Sequence, residues 1–121
     1  MQTKYKTQIN KIGPSVSEFL GEKMLILFGD NAPAELADYC LLIDVNGVEK
    51  DIEVGDTLQL GEKEYKITAV GDAVEKNLSS LGHITLKFDG STTPELPGSL
   101  YLEDIEISEV NPGDSLQIFA K

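Results

Sequence analysis

Apolar and polar residues alternate in short bursts along most of this chain, and Gly-Asp, Asn-Gly and Gly-Glu pairs separate the bursts. That period of two predicts strands with one buried face and tight turns between them. Lys4 to Ile12 places Tyr5, Thr7 and Ile9 on one side, and Tyr65, Ile67 and Ala69 do the same within Glu64 to Val70. Met24 to Phe28 is a continuous apolar run of strand length, suited to burial on both faces. Leu41 to Val45, then Asn46-Gly47, then Val48 to Val54 reads as a tight hairpin, because Asn-Gly favours the positive φ such turns need. Thr57 to Leu60, His83 to Phe88, Leu100 to Ile107 and Ser115 to Phe119 complete the strands, with a two-proline loop from Ser91 to Gly98.

Helical spacing is rarer. From about Ala73 to Leu81, Val74, Leu78 and Leu81 form one apolar stripe, Asp72 is placed to cap it, and Gly82 follows as a left-handed terminator. Ser15-Val16-Ser17-Glu18 resembles a capping box, and Pro33 suits the first position of a short helix running toward Tyr39. The expected fold is a single mainly β domain spanning 1–121, an antiparallel barrel or sandwich of about eight or nine short strands. One principal helix near 73–81 and one or two helical turns accompany it. Glu53 to Leu60 echoes Asn111 to Ile118, each with a Gly-Asp turn before an alternating strand. Reused turn chemistry explains that echo without a duplication.

Charge narrows the function. Ten basic residues, all lysine, face twenty-one acidic ones for a net charge of −11, so clustered cations for phosphate backbones are lacking and nucleic acid is not an expected partner. Such an acidic surface keeps the domain soluble or steers basic partners toward it. No apolar run reaches the length of a membrane span, and the start lacks the apolar core of a secretory signal, so a cytoplasmic location is expected.

Cys40 is the single cysteine and His83 the single histidine, which removes disulfides, cysteine or multi-histidine zinc sites, and two-histidine motifs. No Asp-x-Asp-x-Asp-Gly loop and no phosphate-binding glycine loop appears, so neither a metal nor a cofactor is expected. His83, Thr85 and Lys87 share the strand face opposite Ile84, Leu86 and Phe88. A neutral imidazole there is a competent nucleophile and Thr85 could orient it, although the preceding helix C-terminus favours the charged form. Position alone favours a structural histidine over a catalytic one.

The run Leu81-Gly82-His83-Ile84-Thr85-Leu86-Lys87-Phe88-Asp89-Gly90 is more specific. With Thr68-Ala69-Val70-Gly71, Asn77-Leu78, Ile9-x-x-Ile12-Gly13, Ala32-Pro33-Ala34-Glu35-Leu36, Tyr39-Cys40 and Pro97-Gly98, it resembles the glucitol/sorbitol-specific enzyme IIA component of the bacterial sugar phosphotransferase system. The resemblance covers nearly the whole chain. It implies a cytoplasmic phosphocarrier that takes a phosphoryl group from the histidine of HPr and passes it to the IIB part of the IIB/IIC glucitol permease. His83 is then the acceptor, with Thr85 and Lys87 in supporting roles. Some relatives carry another histidine shortly after the Tyr-Cys pair, where this chain reads Leu41-Leu42-Ile43-Asp44. A relay through the Leu-Gly-His histidine needs nothing that this chain lacks. Cys40, beside Tyr39 at the end of an apolar stripe, reads as a small hydrophobe rather than a second phosphoryl site. Two other classes remain: a regulatory or protein-binding β-barrel that is never phosphorylated, and a sugar-binding domain, which the absence of tryptophan disfavours.

Overall fold

The computed structural model describes residues 2–107 and 109–121. Eight strands close into a barrel in the order β1-β3-β2-β6-β7-β5-β4-β8. In chain order the elements are β1 (Thr3–Ile12), α1 (Ser17–Leu20), β2 (Met24–Gly29), α2 (Ala34–Ala37), β3 (Cys40–Ile43), β4 (Thr57–Leu60), β5 (Lys63–Val70), α3 (Val74–Ser80), β6 (Ile84–Lys87), β7 (Ser99–Leu102) and β8 (Ser115–Phe119). Closure leaves no free sheet edge, and the inward alternation fills the interior with one apolar cluster that includes Tyr5, Leu25, Leu27, Ile43, Tyr65, Leu86 and Ile118. The mainly β barrel with one principal helix is the fold expected from the alternation.

Most strand contacts are antiparallel, but β2 pairs with β3 and β6 with β7 in parallel. Each parallel pair needs a crossover, which α2 and the 88–98 loop supply. The Asn46-Gly47 hairpin does not form. Residues 44–56 hold no strand, and β3 pairs instead with β1 and β2. The Asn46 amide nitrogen donates to the Lys6 carbonyl (2.9 Å) and the Glu49 N–H to the Lys4 carbonyl (2.8 Å). Tertiary bonds to β1 therefore outcompete the local turn, and the segment becomes a strap across the barrel end. The 100–107 strand also stops early, at Leu102. Helix caps differ too: Val16, Pro33 and Ala73 are the N-caps, and none makes a side-chain cap bond. Asp72 and Ser15 therefore do not cap their helices. In α3, Val74 and Leu78 are buried as expected, while Leu81 lies exposed past the last turn.

The echo between the two Gly-Asp turns is part of a larger repeat, which corrects its reading as reused turn chemistry. Exchanging β1 with β5, β2 with β6, β3 with β7 and β4 with β8 returns the same ring of strands, read in the opposite direction. A pseudo-twofold axis thus crosses the barrel, leaving between β2 and β6 at the Ile26–Thr85 pair and between β4 and β8 at the Gln59–Gln117 pair. Details repeat with it. β1 and β5 carry bulges at matching places, Ile9/Lys11 and Ile67/Ala69. The Gly13 and Gly71 N–H groups donate to Cys40 and Ser99 carbonyls, both at 3.0 Å. A Cβ on either glycine would meet a carbonyl oxygen at 2.3 Å, so both positions require glycine. The Asp56 and Asp114 carboxylates each accept the N–H three residues back at 2.8 Å. The two halves share little sequence because core positions demand apolar volume rather than a particular residue.

Candidate functional site

His83 sits where α3 hands over to β6. Gly82 adopts φ +69, and the Gly82 and His83 N–H groups close the helix onto the carbonyls of Leu78 (3.1 Å) and Asn77 (3.3 Å). This left-handed turn reverses the chain and delivers His83 to the outer barrel face immediately before β6 begins. There it meets β2. The antiparallel register sets Lys87 opposite Met24 and Thr85 opposite Ile26. His83 stacks on Phe28, with ring centroids 4.3 Å apart and planes inclined by 17°.

The electrostatics follow from this packing. His83 is half-buried against an aromatic face, and burial holds its pKa below the ordinary histidine value. The opposing influence expected from the helix C-terminus does not prevail, so the imidazole is neutral at pH 7. Among the described residues, no hydrogen bond or ion pair engages its ring nitrogens. A neutral, unengaged imidazole fixed by stacking is suited to nucleophilic attack.

Thr85 lies two residues along the same face, half-buried, with its strand neighbour Ser99 beside it on β7. Lys87 is farther off: four residues of strand place it about 13 Å from His83. Its ammonium lies 5.9 Å from the centre of the Tyr101 ring. Thr85 and His83 are thus neighbours, while Lys87 contributes charge at the margin of this face. Cys40 lies under α2 in a small outer cluster with Phe28 and Leu42. Burial pushes its thiol pKa up, as befits a small hydrophobe. Ile43 points into the barrel and is completely buried, and its Cδ1 would be 3.4 Å from a Cβ at Gly82. Phe28 carries no sequence signal for this role, because its contact with His83 depends on the β2–β6 pairing across much of the chain. Among the described residues, no group of three or more metal-ligating side chains occurs, and no helix is long and apolar enough to cross a membrane.

Comparison with known proteins agrees with this geometry. The sequence profile of the PTS system glucitol/sorbitol-specific IIA component matches residues 4–117. The chain belongs to that family. The glucitol/sorbitol-specific EIIA components of Shigella flexneri and Escherichia coli K12 are each 37% identical to it over 113 residues, covering 93% of this chain and 92% of the relative. The crystal structure of a PTS system IIA component from Enterococcus faecalis V583 superposes with a TM-score of 0.86 at 27% identity, covering 96% of this chain and all of that one. Membership in the IIA family gives the chain a phosphotransferase-system role, and the closed barrel is that of its solved relative.

Proposed function

We propose that this IIA-family protein is a phosphoryl relay and that His83 carries the phosphoryl group. The observation that supports it most is the stacked, neutral imidazole of His83, the chain's single histidine. In the first transfer an imidazole nitrogen of His83 attacks the phosphorus of phosphohistidine on HPr. A new N–P bond forms as the donor's N–P bond breaks, and the donor imidazole leaves with its electron pair. In the second, a cysteine thiolate of the IIB part of the glucitol permease attacks the same phosphorus and frees His83. The Thr85 hydroxyl is the nearest side-chain donor on the β6 face for the transferred oxygens. Lys87 supports docking of the anionic group rather than contacting it directly. No metal or cofactor is required, and the relay operates in the cytoplasm beside the permease.

Incubation with phosphoenolpyruvate, enzyme I and HPr tests the proposal. The expected product carries one acid-labile, base-stable phosphoryl group. An unlabelled protein, under conditions that label another IIA component, would favour the alternative of a protein-binding barrel that is not phosphorylated.

The acidic surface adds a kinetic expectation. With −11 on a small domain, a donor that presents a basic face is steered electrostatically. Its association rate should fall roughly tenfold between low and high ionic strength, where the Debye length shrinks to a few ångströms. Stopped-flow measurement checks this, and a flat response would restrict the charge to solubility.

A further inference from the structure

The pseudo-twofold repeat relates the outer faces on either side of its axis position by position. In the first half Ile26 on β2 pairs with Cys40 on β3, and in the second Thr85 on β6 pairs with Ser99 on β7, both in parallel register. Ile26 and Thr85 face each other across the axis, so Cys40 is the counterpart of Ser99, and Met24, two residues before Ile26, is that of His83. Ile84, Leu86, Leu100 and Leu102 belong to the core, which turns Thr85 and Ser99 outward to the face that carries His83.

Cys40 and Ser99 are equally enclosed, each 3% exposed. Cys40 packs with Phe28 and Leu42 as a small hydrophobe. Ser99 instead brings a hydroxyl, and among the described residues no hydrogen bond engages it or the hydroxyl of Thr85. An enclosed hydroxyl without a partner costs stability that an apolar residue avoids. The first half shows that this backbone accepts apolar side chains at both positions, so the fold itself does not call for either hydroxyl. Among the described residues, only the Tyr5 hydroxyl is both sealed from solvent and unpaired, so the Ser99 oxygen reaches the opening of its face. Two unengaged donors therefore stand side by side on strands about 5 Å apart, next along β6 from His83.

We propose that the Ser99 hydroxyl, paired with that of Thr85, donates hydrogen bonds to the oxygens of a phosphoryl group on His83. The inference rests on His83 as the phosphoryl carrier. It adds Ser99, which no local sequence signal marks, because its place beside Thr85 depends on the β6–β7 pairing. Each hydroxyl turns its proton toward an anionic oxygen, and such charge-assisted bonds are roughly twice as strong as neutral ones. Held in this way, the group keeps one orientation for in-line attack. Fixed donors also meet the charge on its oxygens, on a molecule whose net charge of −11 otherwise disfavours an anion.

Chemical phosphorylation with phosphoramidate tests the pair without HPr. The imidazole forms an N–P bond as the reagent's N–P bond breaks, and ammonia leaves as ammonium with the imidazole proton. His83, as the single histidine, takes the label. The phosphoryl group is then titrated by phosphorus NMR in the parent and in each variant, whose amide spectra establish that it is folded. Hydroxyl donors favour the dianion, so Ser99→Ala and Thr85→Val should each raise the phosphoryl pKa by roughly half a pH unit. Ser99→Thr, which keeps the hydroxyl, should restore the parent value. Cys40→Ser, which sets a hydroxyl at the counterpart position, should leave it unchanged. Phosphoryl acceptance from HPr should slow roughly tenfold in Ser99→Ala, while the urea midpoint stays level or rises because an unpaired hydroxyl is lost. A parent that takes label from phosphoramidate but not from HPr would count against the relay and leave the titration to judge the donor pair. Equal titration curves for the parent and Ser99→Ala, or an equal shift in Cys40→Ser, would overturn the proposal.

Discussion

His83→Gln is expected to abolish phosphoryl acceptance from HPr while leaving the barrel intact. The amide nitrogen of glutamine has no available lone pair, so a histidine relay has nothing to replace the imidazole. The side chain lies on the outer face, half-buried beside Phe28 rather than in the barrel interior. Its loss should therefore cost within about 1 kcal/mol of stability, the scale of substitutions outside a core. Cys40→Ser is the control and should still accept label, because the buried thiol with its raised pKa is no nucleophile. The pH profile carries the same signature. Burial holds the His83 pKa low, so the neutral nucleophile persists below pH 6.5, and acceptance should decline only at more acid values. Normal labelling of the glutamine variant, or a label mapped to Cys40, would remove His83 from the reaction.

Much of this architecture is legible from alternation alone, because strand faces and turns are local properties. Tyr5, Ile9, Tyr65, Ile67, Ile84 and Leu86 all face inward as their spacing dictates. Gly82 ends α3 in the left-handed conformation its position suggests. What the sequence hides is non-local. The Asn46-Gly47 pair carries a strong hairpin signal, yet on β1 the Lys4 carbonyl takes the Glu49 N–H and the Lys6 carbonyl takes the Asn46 side-chain amide. The parallel β2–β3 and β6–β7 pairs are set by barrel closure, which no window of a few residues encodes. The same holds at the site. His83 is identifiable as the single imidazole on an outward face, but Phe28 becomes its partner only once β2 and β6 are side by side. The repeat is obscured for a related reason: Lys23 occupies the positive-φ position that Gly82 fills in the other half, at φ 57 against 69.

Lys4 shows the largest gap between sequence and structure, and its replacement should have the largest effect on stability. By alternation it belongs on the outer face of β1, opposite to Tyr5, yet it is 95% buried beneath the strap, and Asp56 beside it is fully buried. The Lys4 ammonium donates to the Asp56 carboxylate (2.7 Å) and to the Asp51 carbonyl (2.7 Å). Asp56 also accepts the N–H groups of Glu53 (2.8 Å) and Lys121 (3.1 Å). One ion pair thereby joins the first strand, the strap and the chain's last residue. Burial opposes both charges, but the mutual attraction and hydrogen bonds prevail, so the Lys4 pKa is raised and that of Asp56 lowered. Lys4→Met leaves a buried carboxylate without its cation and should cost about 3–5 kcal/mol at pH 7. The sign with pH follows from Asp56. Its lowered folded pKa contributes stability above the ordinary aspartate value, near pH 4, and that contribution is lost as pH falls through the folded value. In Lys4→Met burial acts on Asp56 without the compensating cation, so its pKa rises and acidification relieves the variant's penalty. Urea denaturation of both proteins at neutral pH and near pH 4 should show the difference between them narrowing as acid is added. A difference that is small at pH 7, or that does not change with pH, would mean that the strap is held by its apolar contacts and backbone bonds rather than by this pair.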